Sequence, residues 1–312
     1  MLNNFSKRQM TNCFDRYFTN NLFSELYFPS YIKKTRQTTD ENYLVSIGYY
    51  PGMVKCYDLN NFSIKFQRVL SSCINDFQIV SEDWKQILFL CSNKIEVHSM
   101  SGNHFNIKMP EAAYVFKYIK KENVVYIPTL NGNILRYSLI KCKSLKKINN
   151  LSDGSKISCS FSSQKNMIAF GTSRGYVEFW DTRVTKNFIN IFDVIKFLNS
   201  NDKISKIKFD QKNTYNINIG TQKGNLFIYD IRRSIPLVSK KISSKNEVLS
   251  ITQLNSDIAV STFNCIKIIS PDQANTKYKI NFPTKINDLY FFSKYNCILI
   301  SSNHKRLGVI YL

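Results

Sequence analysis

The stretch Gly171-Thr-Ser-Arg-Gly-Tyr-Val-Glu-Phe-Trp180-Asp181, met again as Gly220-Thr-Gln-Lys-Gly-Asn-Leu-Phe-Ile-Tyr229-Asp230, decides the fold. Each copy is the end of an apolar strand, a tight turn, and a second strand that closes on a bulky aromatic residue and an aspartate. A bulky residue ends the same unit seven times, at Tyr57, His98, Tyr137, Trp180, Tyr229, Ile269 and Tyr311. The intervals of 41, 39, 43, 49, 40 and 42 residues have the period of a propeller blade. Five residues before the bulky one stands Gly52, Asn93, Gly132, Gly175, Gly224 or Asn264 in six of the seven units. Glycine and asparagine tolerate positive φ, so this phase predicts a hairpin turn. Arg306 departs from it, which predicts a longer turn in the last unit.

Upstream strands complete each unit. Phe77 to Val80 precedes Gln86 to Leu90, Ile204 to Phe209 precedes Tyr215 to Ile219, and Val248 to Thr252 precedes Ile258 to Ser261. A further strand follows the bulky position, as Ser63 to Val69 does after Tyr57-Asp58. Middle strands such as Asn166-Met-Ile-Ala-Phe-Gly171 are apolar on both faces, as expected where neighbouring sheets cover them. The expectation is an all-β, seven-bladed propeller of the WD40 type, four strands to a blade. The last unit offers only Lys285 to Phe292, Cys297 to Ser301 and Leu307 to Leu312, so Glu25 to Phe28 is predicted to be its fourth strand and to close the ring. The domain reading is an extension over residues 1–24 and one propeller over 25–312.

Composition narrows the class. The 312 residues, 43% of them hydrophobic, contain no apolar run of the roughly 18 residues that would cross a bilayer. The start, Met1-Leu-Asn-Asn-Phe-Ser-Lys-Arg, is too polar for a secretory signal. Eight cysteines without a C-x-x-C pair, mostly on or beside predicted strands, point to buried thiols in a reducing compartment. The charge is +21, from 43 Lys and Arg against 22 Asp and Glu. Such a field attracts polyanions, and nucleic acid or a ribonucleoprotein is the partner it suggests. An AT-rich coding bias, visible as abundant Asn, Lys, Ile, Phe and Tyr, offers a second reason for the lysines. The densest clusters are Lys141, Lys143, Lys146 and Lys147; Arg232, Arg233, Lys240 and Lys241; and His304, Lys305 and Arg306. Placed in connections and outer strands, they would contact phosphates without reading sequence.

Catalytic chemistry finds no support. His98, His104 and His304 are too dispersed to make a zinc site with scattered cysteines, and His98 occupies the repeat position of a packed residue. No nucleophile elbow, phosphate loop or zinc-protease helix occurs. Asp58, Asp181 and Asp230 recur in phase, so they read as turn caps rather than acids or bases. Asp76 and Asp288, each ending an Ile-Asn-Asp triplet ahead of a strand, take the same reading. No catalytic residue, metal, cofactor, small-molecule substrate or membrane partner is expected.

The blade text is more specific than a generic WD repeat. Tyr43-Leu-Val-Ser-Ile-Gly-Tyr-Tyr-Pro-Gly-Met-Val-Lys-Cys-Tyr57-Asp58 with Phe62-Ser-Ile-Lys-Phe-Gln-Arg68 resembles the first blade of the nucleolar protein ten family, known in yeasts as essential nuclear protein two. Ile87 to His98 resembles its second blade, Gly175 to Arg183 its fourth, and Tyr229 to Val238 its fifth, so that the likeness covers roughly residues 25–312. It implies a non-catalytic scaffold of the nucleolar small-subunit processome, needed for pre-rRNA processing and 18S rRNA maturation. The implied partners are other assembly factors and a particle containing pre-rRNA or snoRNA. Family members carry a further region and a charged tail, and contacts made by that tail are not expected of a chain ending at Gly308-Val-Ile-Tyr-Leu312. A peptide-reading WD adaptor of another nuclear complex is the alternative.

The 49-residue interval holds an insertion near Val184 to Ser200. Its spacing predicts a strand and then a short amphipathic helix carrying Ile191, Val194, Ile195 and Leu198 on one side. Phe188, Phe192 and Phe197 are the candidate partner-binding residues; docking of the insertion on its own propeller is the competing reading.

Overall fold

The computed structural model describes residues 27–149, 151–183, 188–194, 196, 202–271 and 275–312. Among them, seven antiparallel sheets follow one another along the chain, six with four strands and the last with three. In every blade the strands are stacked in chain order. Their first strands are Ile32–Gln37, Asp76–Ile79, Lys117–Ile119, Lys156–Ser162, Ile204–Phe209, Ser250–Gln253 and Ile286–Phe292. Residues from all seven line one central cavity, which makes these the inner strands of a ring. The chain is a seven-bladed β-propeller.

Burial along the strands follows from this layering. Second and third strands are sandwiched between neighbouring blades; all six residues of Met53–Asp58 are buried. The outer strand Ser63–Val69 alternates between exposed and half-buried residues, because one side meets water. The core is divided into seven clusters, one at each interface between blades. Between blades four and five, Val177 and Phe179 meet Ile207, Ile217 and Phe227. The seventh cluster packs Phe292, Leu299 and Val309 of the last blade against Ile32, Leu44 and Tyr57 of the first, which closes the circle. Thr35 Oγ1 and Ser301 Oγ lie 3.0 Å apart across this join, and Asn287 Nδ2 donates to the Ile32 carbonyl at 2.8 Å.

The predicted closing strand meets the structure only in part. Glu25 and Leu26 lie outside the described residues, and Tyr27 and Phe28 are not in a strand. The Phe28 amide donates to the Lys305 carbonyl at 2.9 Å, in the turn before the last strand, Gly308–Tyr311. The Phe28 ring is wholly buried in the join between blades seven and one. That last turn, residues 303–307, is the longer one expected from Arg306.

The turn position five residues before the bulky one has a second cause beyond the one read from sequence. Gly132, Gly175 and Gly224 do take positive φ, at 88°, 81° and 82°. Gly52, Asn93 and Asn264 do not. What recurs is a main-chain bond: the carbonyls of Gly52, Asn93, Gly175, Gly224 and Asn264 accept from Leu70, Met109, Val194, Ile242 and Phe282 at 2.7–3.2 Å. Each acceptor ties the residue after an outer strand back to its own blade. At Gly52 the constraint is closeness, since an added Cβ would stand 2.3 Å from the Ser72 carbonyl oxygen.

The insertion after blade four opens as the predicted strand, Phe188–Asp193, paired with the third strand of its blade. Ile191 belongs to that strand rather than to a helix, and Val194 follows it as a buried residue. Ile195, Phe197 and Leu198 lie outside the described residues.

Candidate functional site: a basic central channel

The cavity on the ring axis, about 550 Å³, is built from equivalent positions of the inner strands. One level carries Lys34, Asp76, Ser158, Lys206, Ser250 and Asp288, opposite Ile47, Leu90, Gly171, Gly220, Ser261 and Ser301 of the second strands. The next level carries Arg36, Gln78, Lys117, Ser160, Lys208 and Tyr290. In four blades the register shifts just before the first of these residues, at Ile32/Lys34, Lys156/Ser158, Ile204/Lys206 and Ile286/Asp288. Such a bulge turns a side chain out of the pleat, here into the channel.

Two ion pairs cross between blades. Lys34 Nζ stands 2.6 Å from Asp76 Oδ1, and an Arg36 guanidinium nitrogen stands 2.7 Å from Asp288 Oδ2. Asp76 and Asp288 are therefore channel carboxylates inside strands; Asp76 Oδ1 also accepts from the Phe77 amide at 2.8 Å, as a cap would, whereas the reading of Asp288 as a cap ahead of a strand is corrected. Burial alone would raise the Asp288 carboxyl, but Arg36, Lys34 and Lys206 together hold it below the usual range. Lys117, Lys206 and Lys208 make no ion pair among the described residues. Burial lowers all three ammonium groups, Arg36 adding to the effect on each. Lys208 is brought down to about 8, by burial first and then by repulsion from Arg36 and Lys117. Cys159, on the same wall, is pushed up to about 12 by burial, so its thiol is protonated and inert at neutral pH.

These charges make a test. The groups facing Lys208 are Arg36, Lys117 and Lys34 as cations and Asp288 as the opposing carboxylate. Because the folded value lies near 8 and the usual one near 10.5, the unfolded chain holds more protons between those pH values. The cost of the charge is thus complete below pH 8 and relieved by pH 10.5. A Lys208→Met variant is expected to be more stable than the parent by about 2 kcal/mol at pH 7, after allowance for solvent screening. The advantage should fade by pH 10.5. Urea melts of both proteins at the two pH values measure it, and an unchanged difference would contradict the assignment.

Sequence reading missed this channel because it followed the third strand of each unit, where the repeat is loudest. The signal was available as polar residues two apart in the inner strands: Lys34 and Arg36, Asp76 and Gln78, Lys206 and Lys208. The surface clusters chosen instead do not converge. Strands alternate in direction, so a blade's first and third turns lie on one face and its second turn and crossover on the other. Lys141 and Arg232-Arg233 sit in third turns, Lys305-Arg306 in a second turn on the opposite face. Lys143, Lys146 and Lys147 lie on the outer strand Lys143–Ile148, and Lys240 and Lys241 on Pro236–Lys241. All are exposed except the half-buried Lys240. Arg232 is engaged, 2.7 Å from Asp230 Oδ2 and 4.0 Å from the centre of the Tyr215 ring; Lys305 lies over Tyr27.

The insertion aromatics separate as well. Phe188 is 40% exposed, beside Ile189 at 43%. Phe192 is 2% exposed, packed edge-on to Phe179 and stacked on Tyr229. As the outer strand's inward residue it is core, not the partner-binding residue it was expected to be. Phe197 lies outside the described residues.

The in-phase carboxylates cap turns. Asp58, Asp181 and Asp230 accept from the amides of Asn60, Arg183 and Arg232, each at 2.9 Å. His98 is buried, with Nε2 3.2 Å from Glu96 Oε2 and its ring edge-on to Phe89. Burial lowers its pKa more than Glu96 raises it, so it is neutral at pH 7. In blade four, Lys156 and Glu178, both wholly buried, pair at 3.0 Å. Glu178 also accepts from the Ser152 amide at 2.9 Å and from Trp180 Nε1 at 3.1 Å. Among the described residues there is no cluster of His, Cys, Asp and Glu fit to hold a metal, and no helix long and apolar enough to cross a membrane.

Comparison with known proteins agrees with the architecture. A family model described as the N-terminal domain of Nucleolar protein 10-like proteins matches residues 1–312. A Nucleolar protein 10 of Xenopus tropicalis is 26% identical over 303 residues, covering 93% of this chain and 43% of the relative. The human Nucleolar protein 10 is 25% identical over 301 residues, with the same coverage. In Schizosaccharomyces pombe, the Ribosome biogenesis protein enp2 homolog is 22% identical over 311 residues, covering 93% and 49%. The chain thus spans less than half the length of these relatives. A match over the whole chain, carried by a seven-bladed ring, places the protein in the nucleolar protein 10-like family through its N-terminal propeller domain.

Proposed function

We propose that this chain is a non-catalytic scaffold of ribosome biogenesis, working in the nucleolus as part of the small-subunit processome that matures 18S rRNA. The observation that carries the reading is the family match along residues 1–312, together with relatives named for the nucleolus and for ribosome biogenesis. A rigid ring suits the role: seven packed interfaces fix the blades, so turns and outer strands offer independent surfaces on two faces and a rim. The exposed lysines of blades three and five and the turn of blade seven can then lie along RNA phosphates, and Phe188 with Ile189 offers an apolar spot for an assembly factor.

The alternative, a reader of positively charged peptide tails, is disfavoured by the channel. Such a reader needs carboxylates or aromatic cages on its axis, whereas five cations face three carboxylates here, two of them held in ion pairs. Purification of the tagged protein from cells, followed by sequencing of bound RNA, tests the proposal. Enrichment of small-subunit precursor RNA and of assembly factors is expected; recovery of neither would overturn it.

A further inference from the structure

Burying an ammonium group without a partner costs free energy, and a fold keeps such groups where something binds them. The channel keeps three half-buried ones that make no ion pair among the described residues. Lys117 and Lys208 share a level with Arg36, and Lys206 sits one level away, between Ser158 and Ser250 of the neighbouring blades. Around them stand the hydroxyls of Ser158, Ser160 and Ser250 and the amide of Gln78. Ser158 is 2% exposed and its Oγ has no hydrogen-bond partner, although it lines the cavity.

We propose that the channel is a binding site for a compact anion carrying several phosphates. The cavity of about 550 Å³ lies within the usual range of small-ligand sites and is too small for a folded nucleic acid. Its donors are ammonium, guanidinium and hydroxyl groups, the chemistry of phosphate recognition. Three cations without an ion pair, and a net surplus of two positive charges around one ring, fit a multiply charged anion better than a single carboxylate. Lysine heads from blades three and five and Arg36 from blade one would grip it from three sides, tying distant blades together. The proposal does not depend on the processome reading: a scaffold that binds no such anion and an anion-binding ring outside the nucleolus would be told apart by separate experiments.

The test is calorimetric titration of the full 312-residue chain with inositol hexakisphosphate as probe, at moderate salt, alongside a hexaglutamate peptide. One-to-one binding is expected, with a raised melting temperature. A Lys117→Met/Lys208→Met variant should lose affinity by about tenfold or more, since each charge-assisted bond is worth on the order of 1.5–3 kcal/mol. Lys206→Gln, which keeps size and a polar head, should lose several-fold, whereas Lys277→Met/Lys279→Met on the outer strand Thr276–Asn281 should bind as the parent does. Absence of one-to-one binding would overturn the proposal, as would full affinity in both channel variants. Equal binding of hexaglutamate with the same variant dependence would also overturn it, by making the site one for acidic peptide.

Discussion

Replacing Glu178 by Ala is expected to lower the unfolding free energy by about 4 kcal/mol, because it removes the carboxylate that balances the buried Lys156 ammonium. Both side chains are wholly shielded from water, and Glu178 gathers four donors: Lys156, the Ser152 amide and hydroxyl, and Trp180 Nε1. Burial already lowers the Lys156 ammonium, more than Glu178 raises it. The folded chain can escape the penalty only by releasing the proton. The loss should therefore be largest at low pH and smaller above neutrality, where the deprotonated amine costs less. Melting should fall by roughly 8 °C for a chain of this size. A Lys156→Met/Glu178→Leu double variant should regain most of the loss, because an apolar pair needs no solvation. Thermal and urea melts of the three proteins check it; a single variant as stable as the parent would show that the pair contributes nothing.

Phe28→Ala is expected to cost about 4 kcal/mol, the usual range for a fully buried phenylalanine. Its effect should exceed that of an equally buried side chain inside one blade, because its ring lies in the single cluster that joins blade seven to blade one. An added Cβ at Gly48 would meet the ring at 2.7 Å, so the wall around Phe28 is close-packed and cannot collapse into a cavity. If the ring closes through this contact, proteolysis of the variant should begin at the two ends of the chain. A melt within 1 kcal/mol of the parent would contradict closure through Phe28.

Blade number, period and most strand limits were legible because a blade repeats its apolar pattern, and a repeated pattern averages out local ambiguity. The strand Ile204–Phe209 and the strand Ser63–Val69 were read to the residue. The insertion's strand was legible for the same reason. Phe192 was misplaced because sequence alone does not say which side of an outer strand meets the next blade. The channel was hidden by the same periodicity that revealed the fold. Its residues differ from blade to blade, Lys34, Asp76, Ser158 and Lys206 holding equivalent places, so no motif marks them. Charge pairing between Arg36 of blade one and Asp288 of blade seven exists only once the ring is closed.

The main-chain clip at the second turn has an evolutionary consequence. Because the outer strands of blades one, two, four, five and six are fastened by a carbonyl and an amide that every residue except proline can supply, their outward side chains carry almost no folding information. Substitutions there are free to drift, one blade at a time, while the ring stays intact. Relatives that share only about a quarter of their residues with this chain can keep one architecture and still present different rims. Selection on such a protein can rewrite what it touches without renegotiating how it folds.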